Sequence, residues 1–231
     1  MGLYTALWCE ALIEIWPGKG SITKLIHHIS SNFFMIDKDP IFMDRGELSV
    51  ENWVFILADV LEVDVEDILN NKQLRPQNTL VVGNLPYYIT SPILRKFFGN
   101  QKFVWWIFMV QDEVGQKLRT DAKKKSYLRW LLNYGCTITY LKWVPAKCFK
   151  PVPKVKSCLI QLTTKREQPT IHRDRFISFL ELFAPFSRKT LWAIQKMIQK
   201  KSDISFDIPS ALSSKRLEAL TWDDLTLILW K

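Results

Sequence analysis

The chain has 231 residues, 48 % of them apolar, and 32 Lys and Arg against 23 Asp and Glu leave a net charge of +9. Such a length and balance suit one domain of ordinary size, or one with a small appendage, and exclude a disordered chain. No apolar run reaches the ~20 residues of a membrane helix. The start MGLYTALWCE lacks the basic segment of a secretory signal, and position 6 lacks the Ser or Thr of a myristoylation signal. No membrane association is expected. Cys9, Cys136, Cys148 and Cys158 are scattered without a C-x-x-C pair, and His27, His28 and His172 form no H-E-x-x-H arrangement. No metal site is therefore expected, and the cysteines read as buried thiols of a reducing, cytoplasmic setting.

The charge is divided unevenly. Residues 1–94 hold 6 Lys and Arg against 12 Asp and Glu, whereas residues 95–231 hold 26 against 11, a net of +15. A solvated surface explains any single lysine. The set, interleaved with aromatics, points to a polyanion such as nucleic acid.

In chain order, Leu12–Ile15 is a short apolar run ending in WPGKGS. Ile22, Leu25, Ile26 and Ile29 share one face of a predicted helix. NFFMIDKD reads as a second strand ending in acids, WVFILADV as a third ending near Asp59, and Thr79–Val82 as a fourth. Pro92–Phe98 reads as a helix, FVWWIFMVQ as a long strand, and Asp112–Leu118 as a helix leading into the basic loop RTDAKKKS. Thr137–Val144 and Ser157–Thr163 are rich in β-branched residues and are separated by PAKCFKPVPK. Strands alternating with helices predict a parallel sheet covered on both faces. Beyond TTKREQP the pattern is helical only, over Asp174–Phe183, Arg188–Lys200 and Trp222–Trp230. This predicts a sheet domain over 1–166 and a small helical domain over 167–231.

Ligands of open α/β sheets sit at the carboxyl ends of the strands. The first strand runs into Pro17-Gly18-Lys19-Gly20, where backbone amides can approach a ligand closely. Such a turn alone is weak evidence. Asp37 ends the second strand and can accept from both hydroxyls of a ribose; Asp59 ends the third and can accept from an adenine amine. Each can equally be a helix cap. The fourth strand ends in VVGNLPYYITSP. Asn84 offers an amide oxygen, Pro86 fixes the backbone, and Tyr87 offers an aromatic face. Together they suit a flat base bearing an amine, held so that the nitrogen lone pair faces a cofactor.

GNLPYYIT resembles the N-L-P-Y-N-I motif of the rRNA adenine N6,N6-dimethyltransferases, which modify two adjacent adenosines of small-subunit rRNA. EIWPGKGSIT is similar to that family's E-I-G-P-G-x-G-x-L-T cofactor loop. MIDKD and LADVL resemble its acidic second- and third-strand motifs. FMVQDEV, CFKPVPKVKS, FSRKTL and KRLEALTWDDL match later segments in the same order. The resemblance implies a Rossmann-like class I methyltransferase sheet with helices on both faces, plus a small all-helical C-terminal domain. It implies S-adenosylmethionine as cofactor, rRNA of the immature small subunit as partner, and a monomer. By matching positions, Glu14, Trp16, Gly18 and Gly20 line the methionine side, Asp37 the ribose and Asp59 the adenine. Asn84, Leu85, Pro86 and Tyr87 hold the target base, and Phe149 stacks on its other face. Lys123, Lys124, Lys125, Lys154, Arg188 and Lys189 are the candidate RNA contacts.

The sequence departs from the pattern in places. Trp16 stands where the family has glycine, so its indole either fills the methionine pocket or turns aside to cap the site. About a dozen residues precede the first strand where the family has a longer segment, which reads as an N-terminally truncated, divergent member. Tyr88 and Lys156 replace the motif's usual Asn and Asp. The expected activity is S-adenosylmethionine-dependent dimethylation of adenosine N6. The alternative is a catalytically impaired, rRNA-binding ribosome-assembly factor of the same fold. A third class, the large-subunit rRNA methyltransferases of antibiotic resistance, is disfavoured by KPVPKVKS and the closing helix.

Overall fold

A computed structural model describes residues 9–40, 53–99, 102–119, 126–167, 169–200 and 204–230. Seven strands form one sheet: β1 (Ala11–Ile15), β2 (Phe33–Asp37), β3 (Trp53–Leu57), β4 (Thr79–Asn84), β5 (Trp105–Gln111), β6 (Cys136–Val144) and β7 (Ser157–Thr164). Their order across the sheet is β3-β2-β1-β4-β5-β7-β6. β1 and β2 are buried at every position. That is the mark of central parallel strands covered on both faces, and it is why they are mostly apolar, with Glu14 and the terminal Asp37 as the acids among them.

The first five strands are parallel, as predicted. β7 is the exception: it runs antiparallel to both β5 and β6. β6 and β7 are joined by the proline-rich turn and not by a crossover helix, and a direct connection of this kind yields an antiparallel pair. The sheet order reverses between β1 and β4, so the connections leaving these strands diverge and open a crevice there. Register brings the relevant ends level, with Ile15 opposite Gly83 and Asn84 opposite Met109. Gly83 lets β4 lie close against β1, because a Cβ there would stand 2.9 Å from the Ile15 carbonyl oxygen.

The predicted helix after β1 is short. α1 (Thr23–Ile26) gives way to a 3-10 turn over His27–Ile29. The sheet unit also carries α2 (Val65–Asn70), which the periodicity did not show, and α3 (Thr90–Gly99). α4 (Asp112–Leu118) follows β5 directly.

The described chain divides into two compact units. The sheet unit runs to Gly115 and resumes over Cys136–Thr164; the second comprises Gln116–Gly135 and everything from Lys165. α5 (Tyr127–Gly135) therefore belongs with α6 (Arg173–Phe183), α7 (Leu191–Gln199) and α8 (Trp222–Leu229). Aromatic packing explains this. Tyr134 stacks on Phe176 with ring centroids 4.9 Å apart, and Trp130 meets Trp222 edge-on at 5.1 Å. The Tyr134 hydroxyl also donates to the Ile171 carbonyl at 2.7 Å. α7 begins at Leu191, later than the predicted Arg188, because the Thr190 hydroxyl accepts from the Ala193 amide and caps it. Arg188 and Lys189 precede this helix.

Candidate active site

The loop after β1 is built from left-handed turns. Trp16, Gly18 and Gly20 have φ of 59°, 55° and 74°. Glycine adopts this conformation freely, whereas a tryptophan is held there at a cost of about 1–2 kcal/mol. The Trp16 amide donates to the Ile36 carbonyl at 3.0 Å, and the Lys38 ammonium lies 5.9 Å from the centre of the indole. Among the described residues, and leaving aside its chain neighbours, no atom lies within 4 Å of where a Cβ of Gly18 would stand, so this backbone has room beside it.

Two buried acids stand at the ends of β1 and β2. Asp37 accepts from the Asp39 amide at 3.1 Å and the Gly18 amide at 3.4 Å, tying the second strand to the loop. Glu14 accepts a 2.7 Å hydrogen bond from the Thr23 hydroxyl. Burial pushes the Glu14 carboxyl up to about 7, against the lowering effect of that bond. Asp59, half-buried beyond β3, accepts from the Leu61 amide at 2.9 Å.

The bend after β4 is tightly fixed. The Leu85 amide donates to the Met109 carbonyl at 3.0 Å. The Pro86 carbonyl accepts from the Ile89 amide and the Thr90 hydroxyl, each at 3.1 Å. Asn84 is exposed, Tyr87 is half-buried, and the Tyr87 hydroxyl lies 2.6 Å from Ser157 Oγ. Opposite this bend in sequence, the turn after β6 places Phe149 half-buried, ahead of a cis Lys150–Pro151 bond.

These segments enclose one cavity of about 550 Å³. Its lining includes Trp16, Pro17, Gly18, Asn84, Leu85, Pro86, Tyr87, Met109, Cys148 and Phe149. Seven predicted residues thus converge: Trp16, Gly18, Asn84, Leu85, Pro86, Tyr87 and Phe149. Glu14, Gly20, Asp37 and Asp59 do not line it. Lys154, Arg188 and Lys189 are exposed, while Lys123, Lys124 and Lys125 lie outside the described residues. Among the lining residues that sequence reasoning did not assign are Met109 and Cys148. The rule that ligands sit at strand ends could have found Met109; no local signal marks Cys148.

The family model for ribosomal RNA adenine dimethylase matches residues 9–220. The chain belongs to the ribosomal RNA adenine dimethylase family. Among its relatives, the ribosomal RNA small subunit methyltransferase A of Hydrogenobaculum sp. is 29 % identical over 95 % of this chain and 81 % of its own length. The protein of that name from Chlorobium phaeobacteroides is 31 % identical over 93 % and 78 %. A dimethyladenosine transferase from Plasmodium falciparum superposes with a TM-score of 0.75 at 20 % identity, covering 96 % of this chain and 90 % of that one. The 23S rRNA methyltransferase ErmE gives 0.68 at 20 % identity, over 97 % and 92 %. Both share the Rossmann-like methyltransferase fold.

As a member of this family the chain is an rRNA adenine dimethyltransferase, and its methyl donor is S-adenosylmethionine. Of the residues expected to hold that group, Trp16, Gly18 and Asn84 line the cavity. The glycine-turned loop opens its backbone to the cavity at Gly18, and Trp16 forms part of the wall without closing the space.

Proposed function

We propose that the cavity receives an adenine from each of two adjacent adenosines in small-subunit, 16S-type rRNA, and that N6 of each is dimethylated during ribosome biogenesis. The observation that carries this reading is the bend Asn84–Tyr87, open to the same cavity as the loop at Gly18 and the ring of Phe149. The small-subunit assignment rests on the names of the curated relatives.

In this reading the Asn84 side-chain oxygen accepts one hydrogen of the adenine amine. Because the Pro86 carbonyl already has two donors, the Leu85 carbonyl accepts the other. These bonds draw the amine out of conjugation with the ring and point its lone pair along one direction. Tyr87 and Phe149 take the two faces of the base. S-adenosylmethionine, when bound, supplies an electrophilic methyl on a positively charged sulfur. Glu14, Trp16, Gly18 and Gly20 serve its methionine side, Asp37 the ribose hydroxyls and Asp59 the adenine. A carboxylate offers about four acceptor sites, so Asp37 retains capacity beyond the two amides it serves.

The chain needs no nucleophile and no strong base. The alkylated nitrogen is acidic, and its proton passes to water. Catalysis is then largely a matter of placement. The base must leave its stack to enter, and aromatic stacking recovers about 1–3 kcal/mol of that cost. Lys123, Lys124, Lys125, Lys154, Arg188 and Lys189 meet phosphates, so binding weakens as salt rises. The setting is cytoplasmic and the protein acts as a monomer. Among the described residues, no helix is long and apolar enough to cross a membrane.

The test is methyl transfer to immature small subunits by the purified chain. Asn84→Ala is expected to lower kcat by about 10²-fold, the scale seen when one aligned hydrogen-bonding group is removed from an active site. Full activity in Asn84→Ala would defeat the assignment of the pocket. Binding of subunits with no transfer by the wild type would favour the assembly-factor reading.

A further inference from the structure

We propose that Ser157 is a positioning residue for methyl transfer: its hydroxyl fixes the plane of the Tyr87 ring against the incoming base. This rests on the reading of the cavity given above. Ser157 opens β7 and is fully buried. Its neighbours are Gln111 on β5 and Val144 on β6, so strands on both sides hold it. Its Oγ lies 2.6 Å from the Tyr87 hydroxyl, across a separation of 70 residues.

Tyr87 itself stands on a bend and is half-buried. A tyrosine ring has two torsions, and its second is broad, so packing at one edge leaves the plane free to rock. A short hydrogen bond at the far end of the ring removes that freedom. It refers the ring to the sheet and no longer to the bend alone. The same strand begins where the turn carrying Phe149 ends, within eight residues of that ring. The bond therefore ties together the two segments that supply the aromatic walls of the cavity. A buried tyrosine hydroxyl commonly finds some partner. This one finds a fully buried serine clamped between two strands, while its own ring lines the cavity.

The experiment compares wild type, Ser157→Ala, Tyr87→Phe and the double variant as full-length chains. Each is assayed for kcat and KM on immature small subunits. Each is also labelled with 3-fluorotyrosine at its tyrosines, six in the wild type and Ser157→Ala and one fewer where Tyr87 is replaced. The Tyr87 fluorine signal is identified by its loss in Tyr87→Phe. The expected result is a loss of about tenfold in kcat for each single variant, with KM changed less than twofold. The double variant should lose about tenfold and not a hundredfold, because both changes remove the same bond. The Tyr87 signal should shift and narrow in Ser157→Ala.

Wild-type kcat in Ser157→Ala, multiplied losses in the double variant, or an unmoved fluorine signal would each overturn the proposal. If Ser157→Ala does not fold, Tyr87→Phe removes the bond from the more accessible side: a tenfold loss supports the proposal and full activity overturns it. If the wild type transfers no methyl, the reading of the cavity fails by itself, and the fluorine signal alone decides whether Ser157 orders the ring.

Discussion

Replacing Glu14 by Gln should stabilise the protein at alkaline pH and leave it almost unchanged at acid pH. Glu14 is 2 % exposed, and its burial raises the carboxyl from an ordinary 4.5 to about 7. The folded chain therefore binds more protons than the unfolded chain between those values. Stability is greatest below about 4.5 and is lost as pH rises through about 7. At 1.36 kcal/mol per pH unit, the interval amounts to about 3 kcal/mol at pH 8. Gln keeps an oxygen to accept the 2.7 Å bond from Thr23 but carries no charge to bury. Glu10, lowered to about 2 by Arg75 and Asn78, is ionised throughout and cancels in the comparison. Urea unfolding at pH 5, 6.5 and 8 should show the variant within about 1 kcal/mol of wild type at pH 5 and more stable by up to about 3 kcal/mol at pH 8. For a chain of this size that is a rise in Tm of roughly 6–12 °C. A difference that does not grow with pH, or a variant less stable at pH 8, would refute the assignment of a buried, neutral-leaning carboxyl.

Two further outcomes are expected. Trp16→Gly should exceed Trp16→Ala in stability by about 1 kcal/mol in urea unfolding, because both lose the indole but only glycine is free of left-handed strain; equal stabilities would show that the loop relaxes. In RNA binding measured against salt, Arg188→Ala/Lys189→Ala should flatten the logarithmic slope by up to about 1.4 if each residue neutralises one phosphate of a single strand. An unchanged slope would remove both from the interface.

Much of the site lies in short windows of sequence. Gly18 and Gly20 in one turn, Asn84 through Tyr87 after a buried strand, and the acids at strand ends each carry a local chemical preference. Those preferences, with the order of the motifs, were enough to indicate the fold class and the family. What the chain does at longer range was hidden. Two β-branched runs do not reveal that β7 inserts antiparallel between β5 and β6, since pairing depends on the turn between them. α5 joins the C-terminal helices through aromatic contacts of Tyr134 with Phe176 and Trp222, each more than 40 residues away.

The acids divide in the same way. Strand-end positions for Glu14, Asp37 and Asp59 were legible; that Glu14 and Asp37 are buried, and that none of the three lines the cavity, followed only from the register of β1, β2 and β3. Trp16 poses its question in sequence, but its left-handed backbone and its place on the cavity wall are set by its bond to Ile36 and by the loop around it. Local propensity is written residue by residue, so the sequence determined the chemistry available at each strand end. Which of those groups meet is decided by strand pairing and burial, because the free energy that brings Tyr87 to Ser157 comes from packing the whole sheet and not from either residue's neighbours.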